Sequence, residues 1–130
     1  MSRPWKLSCT CRAVQFEVDA ELENLLECNC WVCQRAAFIH WRVPGKAITN
    51  LTEGRALASW VWRDLWGSNL FCPTCGTGIL RTGYSEGRVS VNARCLVGVD
   101  IFELKIDRRY DGRHDMPGGP DSFKGGTPYG

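Results

Sequence analysis

The stretch Cys72-Pro73-Thr74-Cys75-Gly76 decides how this sequence is interpreted. In a C-x-x-C-G turn both sulfur atoms point to one side, and backbone N–H groups face the thiolates. The glycine permits the positive φ that such a tight turn often requires. The turn offers two thiolate ligands, whereas a tetrahedral structural zinc site needs four. Two further ligands must therefore come from elsewhere in the chain.

A second close pair, Cys9-x-Cys11, supplies two thiols and no more. Together with Cys72 and Cys75 it predicts a closed, four-thiolate structural zinc site. Such a site would bring the N-terminal strand against the middle of the chain and close a long loop, so metal binding would contribute folding free energy. The alternative is that these cysteines are buried apolar thiols.

Three further cysteines, Cys28, Cys30 and Cys33, lie within ECNCWVC (27–33). Three protein ligands with a free fourth position are typical of catalytic zinc sites, whereas structural sites are closed. Because three thiolates exceed the charge of the ion, we expect this zinc to favour a thiol as fourth ligand over activation of water. Two alternatives would close the site instead, with Cys95 or His40 as fourth ligand. His40 is otherwise expected to be a packed core residue of a strand.

Length and composition set the broad class. The 130 residues suit one domain, and 16 basic against 14 acidic side chains give a net charge of +2. No block of lysines and arginines indicates nucleic-acid binding. The sequence shows neither an export signal nor an apolar run of the ~20 residues that a membrane helix needs, so we expect a soluble, cytoplasmic protein. In a reducing compartment, clustered cysteines are typically metal ligands and not disulfides.

Hydrophobic alternation predicts a series of short strands with little helix, and hence a mainly antiparallel β fold. We expect one domain over residues 1–115, followed by a tail over 116–130 that is rich in glycine and proline. A helical turn is expected within 48–55. The predicted strand segments are 13–18, 38–43, part of 57–66, and 89–96, with a last short segment at 101–106.

Two further groups of side chains are weaker candidates for ligand binding. Guanidinium groups suit carboxylates, although arginines on strands are usually solvated; the arginines concerned are Arg42, Arg81 and Arg94. Tryptophans can line a pocket, although most pack in a core; the four concerned are Trp31, Trp41, Trp60 and Trp62. No GxGxxG, P-loop, HExxH or GxSxG string is present, so nucleotide-binding, zincin and serine-hydrolase functions lack support.

Taken in order, five segments resemble the motifs of the glutathione-dependent formaldehyde-activating family, also called the GFA or CENP-V domain family. They are SCTCRAVQFEV, ECNCWVCQRA, NLFCPTCGTGIL, VNARCLVGVD and YDGRHD, and the likeness covers roughly residues 5–115. The resemblance implies a β-tent fold, a set of small coiled antiparallel β-sheets stabilised by zinc. It also implies a structural zinc on the two cysteine pairs and a second zinc on the triplet, linked to glutathione binding. The implied activity is condensation of glutathione with formaldehyde to S-hydroxymethylglutathione, classed as a carbon–sulfur lyase reaction.

Four residues depart from the family's usual motifs: Arg12 replaces a glycine, Asn29 and Trp31 replace a histidine and a serine, and Gly78 replaces a bulkier residue. None is one of the cysteine ligands. We therefore expect a zinc enzyme that binds a thiol, glutathione first among them, and acts on formaldehyde or another small aldehyde or thiol adduct. A non-enzymatic binding or chaperone-like module is the alternative, and a redox sensor built on the triplet is a third possibility.

Overall fold

The computed structural model describes residues 3–52, 57–61, 67–83 and 86–115. Within this part the protein is mainly β, as predicted, with ten strands and two short helices. The strands are β1 (Trp5–Ser8), β2 (Gln15–Val18), β3 (Leu26–Cys28), β4 (His40–Pro44), β5 (Ile48–Thr49), β6 (Ala58–Val61), β7 (Ser68–Phe71), β8 (Gly78–Thr82), β9 (Arg88–Asn92) and β10 (Arg108–Tyr110). The helices are α1 (Trp31–Ala36) and α2 (Gly112–Asp115). The predicted tail lies outside the described residues.

The strands form two sheets. One has three strands in the order β1-β2-β5, and the other has seven in the order β10-β3-β4-β9-β8-β7-β6. Every neighbouring pair is antiparallel except β10 and β3, which run parallel. A bridge between Leu7 and Leu96 joins the small sheet to the chain that follows β9. The central pairing of β4 with β9 places Trp41 opposite Val91.

Side chains from both sheets form one hydrophobic core. Phe16 of the small sheet and Trp41 of the large sheet belong to the same buried cluster and are 2% and 1% exposed. The Trp41 indole Nε1 donates a hydrogen bond to the Glu21 carbonyl at 3.0 Å, which satisfies the one polar atom of this side chain. The core thereby fixes β4 and β9, from which His40 contacts Cys33 and Ser90 contacts His40.

Four predicted strand segments are confirmed, since 13–18 and 57–66 contain β2 and β6, and 38–43 and 89–96 overlap β4 and β9 with bounds that differ at both ends. Residues 62–66 of the segment 57–66 lie outside the description. The end of the segment 89–96 is a 3₁₀ turn (Ala93–Cys95) and not a strand. Both faces of β9 are buried over its last three residues, since Ser90 and Asn92 on one face and Val91 on the other are all inaccessible to solvent.

The helical turn expected within 48–55 is not found over 48–52, and residues 53–55 lie outside the described part of the chain. A 3₁₀ turn occurs earlier, at Gly45–Ala47, and Ile48–Thr49 forms β5 instead. The two residues are β-branched and pair with β2, where Val18 lies opposite Ile48, so tertiary pairing overrides the local signal. The segment 101–106 begins with a 3₁₀ turn capped by Asp100, and the last strand follows it as β10.

No helix in the described part of the chain has the length and apolar character required to cross a membrane.

Candidate metal centres

The four cysteines of the two predicted pairs meet at one point. The Sγ atoms of Cys9, Cys11, Cys72 and Cys75 all lie within 4.8 Å of one another. Measured separations are 3.6 Å between Cys9 and Cys11 and 3.8 Å between Cys11 and Cys72. A tetrahedral site with metal–sulfur bonds of about 2.3 Å has sulfur–sulfur edges of about 3.8 Å. The geometry and the all-thiol donor set both fit a bound metal ion.

Two tight turns position this four-sulfur cluster. The Cys9 N–H bonds the Val14 carbonyl at 3.0 Å and closes the β1–β2 connection. The Cys72 N–H bonds the Thr77 carbonyl at 2.9 Å, and Gly76 follows with φ of +80°, as the sequence predicts. The hydroxyls of Thr10 and Thr77 lie 3.1 Å apart and join the two turns. These contacts account for the convergence of sulfurs that are far apart in sequence.

Neutral groups surround the sulfurs of the four-sulfur cluster. The Val14 N–H donates to Cys9 Sγ at 3.3 Å, and the Thr74 N–H donates to Cys72 Sγ at 3.4 Å. The Thr77 hydroxyl lies 3.1 Å from Cys75 Sγ, and this hydrogen bond, aided by backbone N–H groups, lowers the pKa of Cys75 to about 5. Donors of this kind favour the thiolate form that metal ligation requires.

The triplet forms a second group. The Sγ atoms of Cys28, Cys30 and Cys33 lie within 4.8 Å of one another, and no fourth His, Cys, Asp or Glu of the described chain belongs to the group. Hydrogen bonds from Cys28 and Cys33 lower the pKa of Cys30, so negative charge within the group favours this sulfur. Three sulfurs are a partial donor set for a tetrahedral ion and leave one position for another ligand.

Helix α1 arranges the triplet, and the sequence analysis did not anticipate it. Cys28 ends β3, Cys30 is the N-cap of α1, and Cys33 lies in the first turn. The Cys30 Sγ accepts the Cys33 N–H at 3.3 Å, so a sulfur takes the place of the usual capping oxygen. The helix ends at Ala37, which has a left-handed conformation with φ of 53°. The C-x-x-C spacing equals the N-cap to N3 spacing, which is a signal that sequence reasoning could have used.

A buried arginine contacts the triplet from β8. The Arg81 Nη1 donates to Cys33 Sγ at 3.1 Å, while its Nε donates to the Asn69 side-chain oxygen at 2.9 Å. Arg81 is 8% exposed, and its guanidinium lies 5.6 Å from the centre of the Phe38 ring. The remaining terminal nitrogen, Nη2, is buried and has no hydrogen-bond partner within the described residues.

His40 reaches the same sulfur from β4. Its Nε2 lies 3.2 Å from Cys33 Sγ, and its Nδ1 lies 2.6 Å from the Ser90 hydroxyl. Burial, aided by the charge of Arg81, lowers the pKa of His40 to about 3, so the ring is neutral near pH 7. His40 contacts one sulfur of the triplet without joining the three-sulfur group. His40 is thus a buried, hydrogen-bonded strand residue, which agrees with the expectation of a packed core residue.

Cys95, the other alternative fourth ligand, lies near the other cluster. Its thiol points to the Gly78 carbonyl at 3.5 Å, and it interacts electrostatically with Cys9 and Cys75. Burial raises the pKa of Cys95 to about 12, so this thiol stays protonated. Neither metal-type group includes it. All eight cysteines are free, so none of them forms a disulfide bond.

A cavity of about 450 Å³ opens beside Cys28 and Cys33. Its wall carries charges of both signs, from Glu27, Arg94, Arg109 and Asp111. The other lining residues are Asn29, Gln34, Ala37, Phe38 and Tyr110. The cavity is therefore both next to the triplet and equipped with groups that recognise carboxylates and ammonium ions.

Asn29 ties the triplet to the segment that lines this cavity. Its side-chain amide donates to Asp111 at 3.0 Å, and its side-chain oxygen accepts the Arg113 N–H at 3.0 Å. The Arg109 guanidinium pairs with Glu27 at 3.4 Å. These contacts join β10 and α2 to the triplet loop. The YDGRHD motif marked this segment as part of the family resemblance. Its residues were not predicted to line a binding site.

The weaker candidates separate into different environments. Arg81 lies beside the triplet and Arg94 lines the cavity, whereas Arg42 is exposed on β4 and does not line the cavity. Trp41 belongs to the core, and Trp60 packs against Cys30, Val32 and Cys33. The side chain of Trp31 and all of Trp62 lie outside the description. Asn69 and Ser90, which hold Arg81 and His40, were missed because neither has a local motif.

A mainly β scaffold that gathers cysteines into two groups able to hold a metal ion defines a class of cysteine-rich domains. The family model for the glutathione-dependent formaldehyde-activating enzyme (GFA) matches residues 4–103, and the chain belongs to this family. The resemblance drawn from the motifs is thus confirmed, and the two sheets with their cysteine clusters agree with the β-tent fold.

A solved structure shows the same fold. A crystal structure of a Rhodobacter sphaeroides protein, determined as a structural genomics target, superposes with a TM-score of 0.70 at 22% sequence identity. The match covers 81% of this chain and 99% of that chain. At this identity the likeness concerns the fold. A search of curated proteins found no match.

Proposed function

We propose that the protein is a zinc-dependent carbon–sulfur lyase that binds glutathione at the Cys28/Cys30/Cys33 site and joins its sulfur to formaldehyde or another small aldehyde. The observation that carries this proposal is that two sulfur-bearing residues of the three-sulfur group, Cys28 and Cys33, line a charged cavity. The complete four-sulfur group elsewhere in the fold fits a structural zinc, so two zinc ions per chain are expected.

The donor set of the triplet supports a thiol as the fourth ligand. Zinc bound by Cys28, Cys30 and Cys33 would supply a Lewis acid that favours the thiolate form of an incoming sulfur. Three thiolates already exceed the charge of the ion, which makes a water molecule at the same position a weak acid. The neutral His40 and the buried Arg81 both contact Cys33 Sγ, which holds this sulfur in place.

The charged cavity supports glutathione over simpler thiols. Glutathione carries two carboxylates and one ammonium group, and the cavity wall presents two arginines and two acidic residues. Arg94 and Arg109 suit the carboxylates, and Glu27 and Asp111 suit the ammonium group. A volume of about 450 Å³ falls in the range of about 300–1,000 Å³ typical of small-molecule sites.

The chemical step needs little besides positioning. The glutathione thiol loses its proton, its sulfur forms a bond to the carbonyl carbon of the aldehyde as the carbonyl π bond breaks, and the oxygen takes up one proton, so that the addition has no leaving group. The reverse process breaks the same carbon–sulfur bond. Holding the two reactants together in the cavity lowers the entropic part of the barrier, which is the principal contribution expected from this chain.

The test is to follow adduct formation from formaldehyde and glutathione against the spontaneous rate. We expect acceleration by the wild-type protein and by Cys95→Ala, whose thiol lies outside both cysteine groups. We expect no acceleration by Cys28→Ser. Absence of acceleration at every protein concentration would contradict the formaldehyde assignment.

Zinc stoichiometry per chain, measured with and without glutathione, tests the site apart from the reaction. Two zinc ions with glutathione bound at one of them support the enzyme. Two zinc ions per chain without any binding of glutathione would favour a zinc-stabilised binding or chaperone-like module instead. Zinc release and disulfide formation by mild oxidant would favour a redox sensor.

A further inference from the structure

Cys33 differs from the other two sulfurs of the triplet in what surrounds it. Cys28 Sγ accepts the Cys30 N–H at 3.4 Å, and Cys30 Sγ accepts the Cys33 N–H at 3.3 Å. Cys33 Sγ instead meets two buried side chains, Arg81 at 3.1 Å and His40 at 3.2 Å. One of these is a permanent cation, since a guanidinium remains protonated in proteins.

The burial of Arg81 needs an anionic partner. A buried charge is unfavourable unless it is paired, and no carboxylate in the described part of the chain forms an ion pair with this guanidinium. Asn69 and the Phe38 ring hold it in place but are neutral. Among the described residues, the sulfur of Cys33 is the group in contact with this guanidinium that is able to carry a negative charge. Its unpartnered Nη2 leaves a buried donor on the same guanidinium.

The four-sulfur cluster provides an internal comparison. Its sulfurs accept hydrogen bonds from backbone N–H groups and from the Thr77 hydroxyl, all of them neutral. Four thiolates around a divalent ion carry a net charge of −2 and need no further ligand. Three thiolates around a divalent ion carry −1, and Arg81 brings the local sum to zero. An anion that then binds approaches a neutral group and not a negative one.

We propose that Arg81 is an electrostatic positioning residue that makes the triplet site selective for an anionic fourth ligand. Acting through Cys33, it offsets the charge that a bound thiolate adds, and Asn69 holds it at the required distance. The inference rests on the proposed function, because it concerns how the same site accepts a thiol. The inference adds Arg81, which acts on the metal site through the ligand Cys33. It also gives an electrostatic reason why the site prefers a thiolate as fourth ligand.

His40 of β4 and Ser90 of β9 form the second set of contacts around Cys33. A neutral imidazole with a proton on Nε2 can donate to the Cys33 thiolate while Nδ1 accepts from the Ser90 hydroxyl. This tautomer satisfies both ring nitrogens and avoids placing a lone pair against the sulfur. His40 therefore orients Cys33 without adding charge, which leaves the charge compensation to Arg81.

The test uses the full chain loaded with cobalt(II), whose absorption reports thiolate ligation. Two probes are titrated separately: 2-mercaptoethanol, which binds as an anion and lacks carboxylates, and imidazole, which is neutral. The variants are Arg81→Met, which removes the charge, and Arg81→Lys, which keeps it. Arg42→Gln is the matched control, because Arg42 is an exposed strand arginine that does not line the cavity.

We expect Arg81→Met to weaken 2-mercaptoethanol binding by about tenfold to hundredfold, from the Coulomb energy of a charge a few ångströms away in a partly buried site. Imidazole binding should change less than about threefold. Arg81→Lys should keep most of the preference for thiol over imidazole, and Arg42→Gln should behave as the wild type. A role confined to folding would weaken both probes alike.

Three results would overturn the inference. In the first, Arg81→Met binds thiol as tightly as the wild type, or loses both probes equally. In the second, Arg81→Lys loses the thiol preference although it retains the charge; this variant decides the matter if Arg81→Met does not fold. In the third, the wild type shows no change in its spectrum with 2-mercaptoethanol; if glutathione also gives no change, this result alone removes the proposed function as well.

Discussion

The Nδ1 atom of His40 lies 2.6 Å from the Oγ atom of Ser90, and both side chains are buried between β4 and β9. The opposite ring nitrogen of His40 faces the sulfur of Cys33 at 3.2 Å. A single strand pair thereby connects the protein core to the triplet. Because the imidazole has little freedom to rotate while both nitrogens are engaged, the position of Cys33 depends on this contact.

The first prediction concerns the hydrogen bond between Ser90 and His40. Ser90→Ala leaves the Nδ1 atom of His40 buried without a partner, which costs about 1–3 kcal/mol. We expect a decrease of this size in the free energy of unfolding, measured by urea denaturation of the metal-loaded protein. Ser59→Ala on β6 is the control, because Ser59 is exposed and its replacement should change stability by less than about 0.5 kcal/mol. Equal effects of the two substitutions would contradict the assignment.

The second prediction separates the two cysteine groups. Cys75→Ser removes a ligand from the cluster that joins the β1–β2 turn to the β7–β8 turn, so we expect a large loss of thermal stability together with loss of one metal ion. Cys30→Ser should abolish acceleration of the reaction between glutathione and formaldehyde. It should leave the fold intact, because serine is itself a good N-cap for α1. Thermal unfolding and metal content measure both. If both variants lose the same amount of stability, the triplet is structural as well.

The third prediction concerns recognition in the cavity. Arg94→Gln removes a charged donor from the wall, and a hydrogen bond to a charged group contributes about 1.5–3 kcal/mol. We therefore expect KM for glutathione to rise by about tenfold or more while kcat changes little. With 2-mercaptoethanol, which has no carboxylates, the same variant should match the wild type. Arg42→Gln should match it with both thiols, and a uniform loss with both would point to a structural defect.

The fourth prediction concerns the backbone at the first cysteine turn. Arg12 has φ of 68°, in the left-handed region that favours glycine, where a side chain is disfavoured by about 1–2 kcal/mol. Arg12→Gly relieves this strain, and after the greater flexibility of the unfolded chain is included we expect a gain of about 0.5–1 kcal/mol. Asn24→Gly is the control, since Asn24 has φ of 56° but asparagine tolerates it. A decrease in stability for Arg12→Gly would show that its side chain makes a compensating contact.

Ligand counting within the sequence predicted the two cysteine groups well. Cys9 and Cys11 meet Cys72 and Cys75, as the two-plus-two arithmetic expected, and the remaining three cysteines form a group of their own. Such short spacings work because a tight turn fixes both sulfurs locally, so a pair behaves as one unit whatever the rest of the chain does. The alternating strand segments were predicted for a similar reason, since their period is a local property.

Other features could not be read in this way. Helix α1 is only six residues long and depends on a sulfur cap, which propensity scales do not include. Ile48–Thr49 forms a strand because β2 is available to pair with it. Asn69 and Ser90 have no motif of their own, and they matter because they hold Arg81 and His40.

The sequence by itself determined which sulfurs belong together, because spacing along the chain fixes the turns that carry them. Only the tertiary structure decided what surrounds the triplet. Arg81 reaches Cys33 across 48 positions, and Asp111 reaches Asn29 across 82. Contacts at such separations depend on strand order and register, which come from packing of the whole core and leave no local pattern in the chain.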